Sequence, residues 1–165
     1  LRDVTEKHGG TYYSSAVGEV NVVTKMKAVS AVIGGEGNGG IIDPQLHYGR
    51  DSLIGTALFL SLLSTSKLSV SELKKTYPEY FMGKGKIQLE PTMDVDAFLL
   101  AIEKKYANNK PSTIDGVKID FEASWVHLRK SNTEPIIRVY TEAPSQEDAD
   151  LLMNRFKEEL LALGN

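Results

Sequence analysis

The chain has 165 residues, 41% of them hydrophobic and 25% charged, with a formal net charge of −3. That suits one ordinary globular domain or two small ones, and with no basic excess nucleic acid is not expected as a partner, so any anion must be recognised locally. Cysteine is absent, which excludes disulfides and thiolate metal sites and is compatible with the expected cytoplasmic location; no apolar run approaches about 18 residues and no signal-peptide pattern opens the chain, so no membrane partner is expected.

In chain order, Leu1 to His8 reads as a helix already under way, stopped by Gly9-Gly10. A domain rarely begins this way, so the expectation is a piece of a longer protein. Residues 11–17 are expected as a strand, a helix is predicted over about 20–29, and residues 30–33 form a short apolar segment expected as a strand. The glycine-rich run 34–40 follows. Asp51 or Ser52 caps a predicted helix over about 52–64 that is apolar on nearly all sides and should be buried on more than one face. Ser69 or Ser71 opens a short helix that Pro78 ends. Residues 80–93, with Gly83, Gly85 and Pro91, read as a connection with the composition of a hinge. Beyond it, Val95, Phe98, Leu99, Ile102 and Tyr106 share one helical face. Asp115-Gly116 signals a hairpin turn, and strands are predicted at 117–121, 124–129 and 136–142. A last helix opens at Ser145, with Asp148 completing a capping-box pattern. Alternating strand and helix predicts an α/β three-layer unit, and helix, strands, helix predicts an α+β unit after it.

Two loops carry chemistry. Residues 34–40 hold five glycines in seven positions, leaving only Glu36 and Asn38 with side chains. The run contains a literal G-x-G-x-x-G, but Ile41-Ile42-Asp43-Pro44 follows where a dinucleotide fingerprint needs a helix to begin, so the sequence speaks against a dinucleotide-binding domain, which would need a helix beginning at Gly40. A carboxylate and an amide on bare backbone suit vicinal sugar hydroxyls, which both donate and accept; a tight turn without ligand fits the same composition. The second loop reads Arg129-Lys-Ser131-Asn132-Thr133-Glu-Pro-Ile-Ile-Arg138. Three short hydrogen-bonding side chains between two arginines suit a phosphate, each charge-assisted bond contributing about 1.5–3 kcal/mol; the plainer reading is an ordinary β-turn. His8, His47 and His127 have no metal-ligand spacing, so no metal site is expected in this chain. Trp125 is expected in the core. His127 is read as structural, although it shares a strand with Arg129, and Glu19 is ambiguous. Lys84, Lys86 and Lys104-Lys105 are read as solvated charge.

Gly-Glu-Gly-Asn-Gly-Gly followed about ninety residues later by Arg-x-Ser-Asn-Thr-Glu-Pro-x-x-Arg resembles the α-D-phosphohexomutases, the family of phosphoglucomutase/phosphomannomutase and phosphoglucosamine mutase, with the glycine loop closest to the archaeal type. The resemblance covers the whole chain as the family's domains 3 and 4. It implies domain 3, incomplete at its N-terminus, over 1–89, and a domain 4 of TATA-binding-protein-like fold over 90–165. It also implies hexose 1-phosphate to hexose 6-phosphate interconversion through an upstream phosphoserine and a hexose 1,6-bisphosphate, with Mg²⁺ held by another domain. Glu36 and Asn38 would take the sugar hydroxyls. Arg129, Ser131, Asn132 and Thr133 would take the non-reacting phosphate, with Arg138 beside them. Many members carry Ser and His where Asn38 and Gly40 stand, and some carry a histidine where this chain has Glu19. A single carboxylate on adjacent hydroxyls would tolerate the sugar turning over and read C2 poorly, which favours glucose and mannose; glucosamine phosphate is the alternative, and a non-catalytic phosphosugar-binding module another. Neither a Ser-His-Asn nor an Asp-Gly-Asp loop occurs. The implied partners are therefore a phosphorylated hexose and N-terminal domains of the same protein, and this chain alone is expected to be inactive.

Overall fold

The computed structural model describes all residues except 89–93, 132–133 and 164–165. The chain forms two compact units, Leu1–Pro78 and Glu79–Asn165. In the first, helix α1 (Arg2–Lys7) ends at the expected glycine pair, where Gly9 takes a positive φ of 74°. Helix α2 (Glu19–Val29) begins one residue earlier than predicted, after Gly18. Two of the expected strands are absent. Residues 11–17 form no ladder, because β-favouring residues make a strand only where a partner supplies hydrogen bonds. The segment 30–33 is not paired either; pairing starts one residue later, where β1 (Gly34–Gly35) meets β2 (Ile41–Ile42) antiparallel. Pairing can start in the glycines because the buried Met26 of α2 packs against Gly34, where any Cβ would strike its sulfur.

Asp51 caps helix α3 (Ser52–Ser66), accepting from the N–H groups of Leu53 and Ile54 at 2.8 and 3.1 Å. These bonds, with one from His47, hold its carboxyl below the usual range. Helix α3 corrects the expectation of burial. None of its residues is buried, and Leu53 is 80% exposed. Gly55 lets α3 sit close on Ile41, but a ribbon of two two-residue strands is too narrow to cover an all-round apolar helix. Helix α4 (Val70–Lys75) starts at Ser69, whose hydroxyl and Glu72 form a full capping box.

The second unit is a four-stranded antiparallel sheet in the order β3-β6-β5-β4, with two helices on one face. Strand β3 (Phe81–Gln88) occupies most of the segment read as a connection. Its glycines suggested a linker, but they make room for the last helix. A Cβ on Gly85 would come 2.5 Å from Lys157 Cε and 2.9 Å from Met153 Sδ, and one on Gly83 would strike Thr141. Helix α5 (Val95–Lys105), β4 (Val117–Asp120), β5 (Trp125–Lys130), β6 (Ile136–Ala143) and helix α6 (Gln146–Leu163) follow close to their predicted places. Asp94 caps α5 and Ser145 caps α6. Period-two alternation sends Ile87, Val117, Ile119, Val126, Leu128, Ile137 and Val139 to one face, against Leu99, Ile102, Phe156 and Leu160 of the helices. This is the expected α+β arrangement, following an α/β first unit. Among the described residues no helix is long and apolar enough to cross a membrane.

Candidate functional site

In the first unit the glycine loop is the tip of the β1–β2 hairpin. The N–H of Glu36 donates to the carbonyl of Gly40 at 3.0 Å, and the N–H of Gly39 to that of Glu36 at 3.0 Å. Gly39 has φ of 91°, a left-handed value that favours glycine, and a Cβ on Gly35 would lie 2.6 Å from the carbonyl oxygen of Gly40. Gly35 and Gly39 are therefore needed to build the turn itself. Asn38 folds back within it: its Oδ1 accepts from the N–H of Gly40 at 3.0 Å, and its Nδ2 lies 3.5 Å from Glu36 Oε2. The two predicted hydroxyl-binding side chains are thus neighbours.

Sequence reasoning missed Arg50, which stands over this loop. Its Nη1 lies 3.4 Å from Glu36 Oε2, while its Nε donates to Glu19 Oε2 at 2.8 Å and its backbone N–H to Glu19 Oε1 at 3.3 Å. The ambiguous Glu19 is therefore an arginine partner at the start of α2. An open pocket runs between Glu19, Asn38, Gly40, Arg50 and Ser52. Nothing in the spacing of 19, 36 and 50 announces this triad, since the contacts are made by tertiary folding.

In the second unit the basic loop joins β5 to β6. Arg129 and Arg138 are direct cross-strand partners, and the N–H of Ser131 donates to the carbonyl of Ile136 at 3.0 Å to close the ladder beside them. Asn132 and Thr133 lie outside the described residues. Arg129 is braced from behind: its Nε lies 3.1 Å from Asp115 Oδ1, in the Asp115-Gly116 turn. That turn packs tightly on β5, where a Cβ on Gly116 would strike the backbone of Leu128. His127 also reaches it, its Nε2 meeting the carbonyl of Asp115, which agrees with the structural reading of this histidine. Arg138 Nη2 lies 3.5 Å from Glu134 Oε2.

Lys86, read as solvated charge, is exposed as expected and is also the cross-strand partner of Arg138 on its other side. It completes a row, Lys86–Arg138–Arg129, over three strands on the face away from the helices. Trp125, expected in the core, is half-buried on this open face, its Nε1 donating to Glu142 at 2.8 Å and Lys118 Nζ lying 5.0 Å from its ring centroid. Like charges directly opposite on a sheet destabilise it, so a row of three cations is favourable only with counter-charge. Asp115 and Glu134 supply part of it.

Residues 1–80 match the family model described as phosphoglucomutase/phosphomannomutase, alpha/beta/alpha domain III, and residues 88–159 match that of the phosphoglucomutase/phosphomannomutase C-terminal domain. The chain is 38% identical to a phosphoglucosamine/phosphogalactosamine mutase of Sulfurisphaera tokodaii, over 86% of this chain and 31% of that protein. It is 35% identical to a phosphoglucomutase/phosphomannomutase of Thermococcus kodakarensis, over 90% of this chain and 33% of that protein. A phosphoglucomutase/phosphomannomutase family protein of Burkholderia thailandensis has the same fold at a TM-score of 0.73 and 23% identity, over 98% of this chain and 35% of that one. The chain thus spans about a third of the length of the relatives it matches. With one family model over the unit that carries the glycine loop and the other over the unit that carries the arginine pair, the chain belongs to the phosphoglucomutase/phosphomannomutase family and comprises its third and C-terminal domains.

Proposed function

We propose that this chain supplies substrate-holding domains of a phosphohexomutase that interconverts hexose 1-phosphates and hexose 6-phosphates. The observation that carries the reading is the direct cross-strand pairing of Arg129 with Arg138 beside the Ser131 turn. Two planar guanidinium groups facing one another repel, Asp115 and Glu134 offset part of that repulsion from the flanks, and a tetrahedral phosphate can accept from both. Arg129, Ser131, Asn132, Thr133 and Arg138 then hold the phosphate that does not react, and Glu36 and Asn38 hold hydroxyls of the ring. The division of labour follows the domains, hydroxyls on the first and phosphate on the second.

In the proposed reaction a phosphoserine outside this sequence gives its phosphoryl group to the hydroxyl of a hexose phosphate. The hexose 1,6-bisphosphate turns over, and the serine takes back the other phosphoryl group. The phosphate loop must therefore accept either end of the sugar, which a cluster of short donors and guanidinium groups can do. Bound Mg²⁺ would neutralise charge on the transferring group. Among the described residues no group of three or more His, Asp or Glu side chains could hold that ion, so no step is assigned to a metal on this chain.

The proposed substrates are glucose and mannose phosphates, for which Glu36 on adjacent hydroxyls would be indifferent to C2. The Sulfurisphaera relative's name favours a second reading, an amino sugar, whose protonated amine a carboxylate such as Glu36 would attract. Turnover tests both. The full-length protein carrying this segment should convert glucose 1-phosphate and mannose 1-phosphate, with glucosamine 1-phosphate as the competitor, and the 165-residue chain alone should convert none. Conversion by the chain alone would contradict the proposal, and conversion of glucosamine 1-phosphate alone would replace the substrate.

A further inference from the structure

We propose that Arg50 is a positioning residue of the hydroxyl-binding loop, holding the Glu36 carboxylate ready for the sugar while Glu19 anchors Arg50 in turn. The proposal rests on the reading of Glu36 as a ligand of the ring. Arg50 immediately precedes Asp51, the cap of α3, and the N–H of Asp51 donates to the carbonyl of Ile41 at 2.8 Å. The backbone of Arg50 is thereby tied to β2, the strand that follows the loop. Its side chain is held at both edges, by Glu19 at 2.8 Å and by Glu36 at 3.4 Å.

Three observations make this more than a surface ion pair. First, Glu36 is the better buried partner, with its side chain 14% exposed against 48% for Arg50, so its carboxylate has exchanged water for fixed neighbours. Second, the described contacts of that carboxylate, from Arg50 and from Asn38, both fall on Oε2. A carboxylate has acceptor sites on two oxygens, and holding one orients the other for a hydroxyl. Third, the loop makes room for the arginine. A Cβ on Gly40 would lie 2.7 Å from Arg50 Cδ, so the stem of Arg50 fills the space that a side chain at position 40 would need. Orientation in advance of binding lowers the ordering cost when the ligand arrives, so the effect should fall on affinity.

The test is a double-mutant cycle in the full-length protein, reading kcat and KM for glucose 1-phosphate. Arg50→Ala should raise KM by about tenfold and change kcat by less than about threefold, as loss of ground-state positioning does. Arg50→Lys should recover part of the loss, since a point charge reaches Glu36 or Glu19 but does not replace the planar fork between them. In a Glu36→Gln background Arg50→Ala should add little. Gly40→Ala, which changes no charge, should raise KM in the same direction by displacing the arginine stem. An unchanged KM in Arg50→Ala, or effects of Arg50→Ala and Glu36→Gln that simply multiply, would overturn the positioning role. A wild-type KM in Glu36→Gln would instead overturn the reading of Glu36 on which it stands.

Discussion

Arg129 and Arg138 occupy one cross-strand position, with Lys86 next in the row. The three should not contribute equally. Arg129 is braced by Asp115 at 3.1 Å and is 29% exposed at its side chain, whereas Lys86 is exposed, a point charge on a flexible stem. Arg129→Ala should weaken binding of a hexose phosphate by about 10–100-fold, the loss of one or two charge-assisted hydrogen bonds. Lys86→Ala should weaken it by less than about fivefold, in a manner that added salt abolishes. Equilibrium titration at low and moderate salt checks both, and equal losses at the two positions would contradict the ranking. The sequence made Arg129, Ser131 and Arg138 legible because all three belong to one hairpin, where register follows from a short turn. Lys86 and Arg50 were not legible for the opposite reason. Lys86 meets Arg138 through pairing of β3 with β6, and Arg50 meets Glu36 and Glu19 through the packing of α2 and α3 around a hairpin. No local period encodes either meeting.

Among the elements, α5 and α6 are joined at one end of the second unit by a small charged network. Glu159 accepts from Lys105 Nζ at 2.9 Å, from the Tyr106 hydroxyl at 2.8 Å and from Arg155 Nε at 3.1 Å. Burial works to raise the pKa of Glu159, but these donors outweigh it and leave the carboxyl below its usual range. A depressed carboxyl contributes stability that is fully present above the ordinary glutamate pKa of about 4.3 and is lost as pH falls through the lower folded value. The melting temperature should therefore fall as pH is lowered past about 4.3, and Glu159→Gln should lower it at neutral pH and flatten that acid dependence. Circular dichroism melts at a series of pH values test this; an acid slope unchanged in Glu159→Gln would contradict it. Strand β3 shows where local signals mislead at this scale. Gly83 and Gly85 argue for a linker on propensity alone, yet they are the positions where α6 must approach the sheet. Helix α3 errs the other way. Its composition correctly predicted a helix, but burial is a property of the neighbours, and the paired strands of the first unit are short.

At the scale of the molecule, the two units carry complementary chemistries, a carboxylate and an amide on one, a row of cations on the other. Either alone would describe a generic site, a turn that likes hydroxyls or a patch that likes anions. Their joint occurrence in one chain, in the order and context of the third and C-terminal family domains, is what the proposal of a phosphorylated sugar rests on. The central claim is that phosphate is held by the Arg129–Arg138 pair and hydroxyls by Glu36. Titration calorimetry of the full-length protein with glucose 6-phosphate and, separately, with inorganic phosphate tests it most directly. Arg129→Ala should lose affinity for both ligands, whereas Glu36→Gln should lose affinity for glucose 6-phosphate and keep it for inorganic phosphate. Wild-type affinity for inorganic phosphate in Arg129→Ala would contradict the account.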